Sequence, residues 1–225
     1  MSEKLPAPDT NRFPALRNPH VRIVEQGRLL GRLHATGGDY PTKWGEFRFW
    51  GPTKARFDHH PPPTRLHRSR SVYYAAPSLL DAQGERVPVL RTCVAEVFRD
   101  RGAIELSRDA PYFVLYLNSR PLRLLDVADS DWVTLAGGNA AISSGLRSRS
   151  REWARAIYRA YKGGDAVDGL YYTCSNIPTA RSIALFERAV DALPPRPQLH
   201  IPLTHPALRP ELESYAAQLN LFLIP

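Results

Sequence analysis

Arg147, Arg151, Arg155 and Arg159 recur every four residues, a spacing that sets four guanidinium groups in a row along a helix, with Trp153, Ile157 and Tyr161 on the opposite, apolar face. Such a row can lie along phosphates, as in a nucleic-acid-binding module, or be no more than a solvated helix face. His59 and His60 are adjacent, so their rings diverge, and neither they nor His34 has a third ligand at a useful spacing; no metal site is expected. Cys93 and Cys174 are the only cysteines and are read as buried free thiols, because a chain of 225 residues closes a core without a disulfide. There is no Gly-x-Gly-x-x-Gly turn, no Gly-Lys-Ser/Thr loop and no Gly-x-Ser-x-Gly elbow. Rossmann, P-loop and serine-hydrolase chemistry are therefore set aside.

The elements that must position any site read as alternating strands and helices from residue 71 onward. Residues 72–76 form a short strand ending at Pro77, in which Tyr73 and Tyr74 face opposite sides. The spacing predicts a helix over 89–101, with Leu90, Cys93, Val94 and Val97 on one face and Gly102 as its stop; Glu96 sits at the border of that face. Residues 112–118 and 121–127 read as two strands of a hairpin, followed by a helix. A loop at 165–169 leads to strands at 170–174 and 182–186, then to a short helical stretch at 187–193. The proline run 194–197 is read as the end of the core, with a last helix over 210–219. Glu187 is read as structural, paired with Arg188 or another arginine. The fold class is mixed α/β (α+β), with small sheets flanked by helices and no regular βαβ alternation.

Charge is concentrated at one end. Residues 1–70 hold 13 Lys and Arg against 6 Asp and Glu, together with 9 of the 21 prolines and five of the seven histidines. An irregular basic arm packed over a core fits this pattern, and an anionic small ligand such as a dinucleotide would favour the charge. No run of about 18 uncharged apolar residues occurs and the N-terminus lacks a greasy stretch, so the expectation is a cytoplasmic protein with no membrane contact.

Four stretches, in order, carry a family resemblance. They are Gly31-Arg32-Leu33; Gly51 to Asp58 with Arg56; Tyr73-Tyr74-Ala75-Ala76 followed by Val94-Ala95-Glu96-Val97; and Asp168 to Ser175 followed by Ala184 to Ala189. Together they resemble the RES domain, over roughly residues 30–193. Arg-Phe-Asp-His-His stands where the family carries Gly-Gly-Arg-Trp-Asn. The resemblance implies a single domain with a fold like that of the ADP-ribosyltransferases: residues 1–29 a basic, Pro-rich arm, 30–193 the NAD-binding catalytic domain and 194–225 an extension with a short helix.

It also implies an activity, cleavage of the nicotinamide–ribose bond of NAD as glycohydrolase or phosphorylase, in the toxin half of a toxin–antitoxin pair. NAD would be the substrate, and an Xre-type helix-turn-helix antitoxin the partner, with a homodimer left open and direct nucleic-acid binding not expected. Glu96 would stabilise the oxocarbenium-like ribose or activate the acceptor, Arg32 and Arg56 would clamp the pyrophosphate, Tyr74 would stack on nicotinamide, and Ser175 would bond the ribose or amide. The rival readings are ADP-ribosyl transfer to a protein or nucleic acid, a non-enzymatic nucleic-acid-binding module built on the arginine row, and a catalytically dead interaction protein that keeps the fold.

Overall fold

The computed structural model describes residues 4–80 and 84–225, so the first three residues of the proline-rich arm lie outside it. In chain order the strands and helices are β1 (Val21–Val24), β2 (Leu29–Ala35), β3 (Trp50–Gly51), β4 (Arg65–Leu66), β5 (Val72–Pro77), β6 (Leu79–Leu80) and β7 (Arg86–Val87). Then follow α1 (Val89–Phe98), β8 (Ala103–Glu105), β9 (Pro111–Leu117), β10 (Leu122–Asp126), α2 (Trp132–Leu135), α3 (Ala141–Ser144) and α4 (Arg147–Ala160). The chain closes with β11 (Gly169–Thr173), β12 (Arg181–Phe186), β13 (Leu199–Pro202), α5 (Arg209–Leu219) and β14 (Phe222–Ile224). This is the mixed α/β class expected, with one large sheet beside three two-stranded ones.

The eight-stranded sheet has the order β1-β10-β11-β12-β5-β2-β9-β13. Residues 118–121 link β9 to β10 and residues 25–28 link β1 to β2, yet each of these pairs stands far apart in that order. Links this short require the sheet to fold over so that its two halves face each other. Buried Asn118 fastens both links: its side chain accepts from the Arg28 amide at 2.8 Å and donates to the Glu25 carbonyl at 2.9 Å and the Arg120 carbonyl at 2.7 Å. The hairpin expected over 112–127 is therefore corrected. β9 pairs with β2 and β13, and β10 pairs with β1 and β11.

Between the halves lies a core of Val24, Leu30, Tyr73, Tyr116, Leu124, Ile183 and Leu185. Two more clusters cover the outer faces. α1 and α5 pack Leu90, Val94, Phe98, Leu212 and Tyr215 against Leu33 and Phe113. α4 packs Trp153 and Ile157 against Leu125, Leu170 and Tyr172. α4 belongs to the crossover between the parallel pair β10 and β11, a connection that needs a long excursion and here covers the sheet with an amphipathic helix. Fully buried Trp132 and Trp153 each contribute on the order of 2–3 kcal/mol of hydrophobic burial.

The flanking stretches are built into the same framework. β1 lies within residues 1–29 and pairs with β10, and Trp153 and Tyr161 donate hydrogen bonds to the Pro6 and Pro14 carbonyls, both at 2.8 Å. The core does not end at the proline run: β13 pairs with β9, and α5 buries Leu212, Ala216 and Leu219. In α1 the buried stripe runs through Leu90, Cys93, Val94 and Phe98, while Val97 is turned outward, contrary to the predicted face. No helix among the described residues is long and apolar enough to cross a membrane.

Candidate functional site

β2 and β5 pair only at Leu30 with Pro77 and Gly31 with Ala76. Beyond that point β2 runs on to Ala35 while β5 extends back to Val72, so the sheet splits. Gly31 stands where α1 starts across β2: a Cβ there would come within 2.3 Å of the Val89 side chain. A cleft of about 560 Å³ opens at the split, lined by α1, the loop before β4, the start of α4 and the turn after β11. Its volume lies within the range of small-ligand sites.

All five residues named from the sequence border this cleft: Glu96, Ser175, Arg32, Arg56 and Tyr74. Glu96, on the last turn of α1, is exposed at the cleft, with protein packed closely around its carboxyl group. Among the described residues it accepts a long, weak hydrogen bond from the Ser182 hydroxyl at 3.3 Å and lies beside the Cys174 thiol. Burial raises the Glu96 pKa above the ordinary carboxylate range; the Cys174 thiol, Ser182, Arg56 and Arg147 oppose the rise without cancelling it. Cys93 and Cys174 are both free and buried, and burial raises both thiols, Cys93 up to about 12, which disfavours the thiolate form at neutral pH.

Tyr74 projects from β5 to the cleft, opposite in direction to Tyr73, which is fully buried and donates to the Trp44 carbonyl at 3.1 Å. Among the described residues the buried Tyr74 hydroxyl has no hydrogen-bond partner, and burial drives its pKa well above the ordinary phenol value. Ser175 lies exposed in the turn after β11, and the neighbouring Asn176 amide donates to the Ala95 carbonyl at 3.0 Å, which fixes that turn beside Glu96.

Arg56 and Arg32 are both partly committed to the framework. Arg56 donates to the Gly145 carbonyl at 2.6 Å and to Ser150 at 3.3 Å, tying its loop to the start of α4. Arg32 donates to the Glu46 carbonyl at 2.9 Å and lies over the Tyr73 ring at 4.1 Å. Each guanidinium carries five donors, so these bonds leave others for a ligand.

Four further cations reach the same cleft: Arg48, Lys54, Arg101 and Arg147. Arg48 is paired with Asp58 at 2.9 Å, Arg101 with Glu105 at 3.2 Å, and Arg147 with Asp100 across the cleft rim. Arg32, Lys54 and Arg56 form no ion pair among the described residues. The cleft thus has positive charge to spare around one poorly satisfied carboxyl group. Lys54 could have been noticed in the sequence, two residues before Arg56; Arg48 and Arg147 carried no local signal for a cleft, and Arg147 was read only as one end of the helical row.

The loop that carries Arg56 is organised by Asp58. Its fully buried carboxylate accepts from the Thr53 amide at 2.7 Å, the Thr53 hydroxyl at 2.9 Å, the His60 amide at 3.2 Å and the His60 ring at 2.5 Å, besides Arg48. Gly51 is needed for that packing, since a Cβ there would stand 2.4 Å from His60 Nδ1. Neighbouring His59 is buried against Tyr158 and Phe186. Glu187 is not paired with Arg188. It accepts from the Tyr158 hydroxyl at 2.5 Å and approaches His59 at 3.5 Å, while Arg188 donates to the Tyr161 carbonyl.

The sequence matches no model of a known protein family and no curated protein.

Proposed function

We propose that the chain is a RES-type enzyme, with the ADP-ribosyltransferase-like architecture that the resemblance implies, and that it cleaves the nicotinamide–ribose bond of NAD. One observation carries the reading: a crowded, under-bonded carboxyl group, Glu96, opens into a cleft whose unpaired cations are Arg32, Lys54 and Arg56. A pyrophosphate would draw on the donors that Arg32 and Arg56 keep free, with Lys54 adding charge. The Tyr74 ring offers a flat wall for the nicotinamide, and its unpartnered hydroxyl a donor for a bound polar group.

In this mechanism the C1′–N bond breaks, nicotinamide leaves with the bonding electron pair, and positive charge develops on the ribose. Ionised Glu96 stabilises that charge electrostatically. Water then bonds to C1′ and gives its proton to Glu96, whose raised pKa brings it nearer the working pH than an ordinary glutamate. Ser175, held in its turn beside α1, orients the ribose or the amide. A partner of the Xre helix-turn-helix type would silence the activity by covering the cleft.

Nicotinamide release from NAD by the purified chain, in water, in phosphate and with cell extract, tests this and separates hydrolysis, phosphorolysis and transfer. Glu96→Gln is expected to lower the rate by roughly 10²–10³, about 3–4 kcal/mol. Ser175→Ala and Tyr74→Phe are expected to do less. Equal turnover by Glu96→Gln removes Glu96 from the mechanism, and no release with any acceptor rejects the activity.

A further inference from the structure

Beyond Arg147 the arginine row leaves the cleft and runs along the outside of α4. Arg151, Arg155 and Arg159 follow at one-turn intervals, about 6 Å of axial rise apart. None of the three forms an ion pair among the described residues. The nearby carboxylates are taken: Glu152 is paired with Arg149, and Glu187 accepts from Tyr158. Two more guanidinium groups widen the face. Arg70 and Arg188 lie over the Tyr158 ring at 4.6 and 4.8 Å, each anchored by a hydrogen bond to a backbone carbonyl, those of His59 and Tyr161. Five arginines from three segments of the chain therefore share one side of the molecule.

The composition of this face selects its partner. A protein interface would be expected to supply apolar anchors at its centre, and none of the exposed large apolar side chains described belongs to α4. A phosphodiester backbone asks only for regularly placed donors and positive charge. A nucleic acid carries a layer of condensed cations, and arginines not already paired within their own protein release those cations when they neutralise its phosphates, which drives binding.

We infer that the α4 face carrying Arg151, Arg155 and Arg159, flanked by Arg70 and Arg188, binds the backbone of a nucleic acid. The row starts at Arg147 on the cleft rim, so a bound strand would pass the cleft mouth. The inference stands apart from NAD cleavage, and either can fail without the other.

The test is fluorescence anisotropy of the full chain with a short labelled DNA duplex, a single-stranded RNA of the same length, and polyglutamate, each over a series of salt concentrations. Binding of the duplex or the RNA should fall steeply with salt. For the duplex, the variant with Arg151→Gln, Arg155→Gln and Arg159→Gln together should lose about 0.9 of log–log slope per phosphate contact removed, up to about 2.7 in all. The matching triple Lys variant should keep most of the slope. Nicotinamide release should be the same in both triple variants as in the parent chain. Failure of duplex and RNA to bind at low salt overturns the inference, as does an unchanged slope in the triple Gln variant. Polyglutamate binding as tightly as either nucleic acid, and lost with the same substitutions, overturns it in favour of an acidic protein partner. Should the triple Gln variant misfold, retention of the slope by the triple Lys variant and its loss in Arg155→Gln with Arg159→Gln support the inference; no loss in that pair overturns it.

Discussion

Two carboxylates beside the cleft, Asp58 and Glu96, are both packed among arginines and meet opposite fates. Burial alone would raise the pKa of Asp58, but hydrogen bonds from His60, the charge of Arg48 and the Thr53 amide hold it well below the ordinary range. Glu187, a short distance away, follows the same pattern: burial works against it, and His59 and the Tyr158 hydroxyl hold it at about 2. Glu96 stays open to the cleft, but protein crowds its carboxyl group with far fewer donors aimed at it, and its pKa goes up. What separates the two kinds of site is how many donors the fold aims at the carboxylate. Where they saturate it, the group holds a loop in shape; where they do not, it is left with capacity for a ligand or a proton.

The sharpest way to break the contrast is to remove the saturated member. Asp58→Ala strands Arg48 beside a buried histidine and is expected to cost about 3–5 kcal/mol, toward the lower end because Arg48 retains 25% of its side-chain surface in solvent. In a thermal melt this appears as a fall in Tm of about 2–4 °C per kcal/mol for a chain of this size. A Tm unchanged by Asp58→Ala would show that the loop carrying Arg56 does not depend on that carboxylate.

A smaller effect of opposite sign is expected at Glu96. Its folded-state pKa is raised, so its contribution to stability is fully present below the unfolded carboxylate pKa and is lost as pH rises through the folded value. Glu96→Gln should therefore raise Tm at neutral pH while lowering nicotinamide release, and the gain should vanish as pH falls below the ordinary glutamate range. A variant that loses stability at pH 7 would show Glu96 to be one more structural carboxylate.

Much of the framework was legible because local pattern and tertiary role agree. The span of α1 and of the 3-10 turn Arg99–Arg101 that continues it was marked by apolar spacing and by Gly102, which adopts φ 73° after that turn, and the alternation of Tyr73 and Tyr74 followed from strand geometry. Links between strands were not legible in the same way. A four-residue connection between β-rich runs reads as a hairpin, and only the tertiary bonds of Asn118 show that residues 118–121 carry the chain from one half of the sheet to the other. Likewise, Leu199–Pro202 gave no strand signal behind a proline run; it is a strand because β9 offers it an edge. The cleft follows the same division. Glu96 could be picked from its place on α1 and from the family resemblance, whereas Arg48, Lys54 and Arg147 join it only through the split between β2 and β5 and the start of α4.

The contrast between saturated and unsaturated carboxylates is tested most directly by a carbon-13 NMR titration of the glutamate side-chain carboxyl groups, assigned with Glu96→Gln and Glu187→Gln. Glu187 should stay ionised until the pH approaches about 2, and Glu96 should take up its proton above the ordinary glutamate value. Glu96 titrating at or below that value, alongside Glu187, would contradict the account, because a carboxylate so well satisfied would belong with Asp58 as a structural group and not with the chemistry of the cleft.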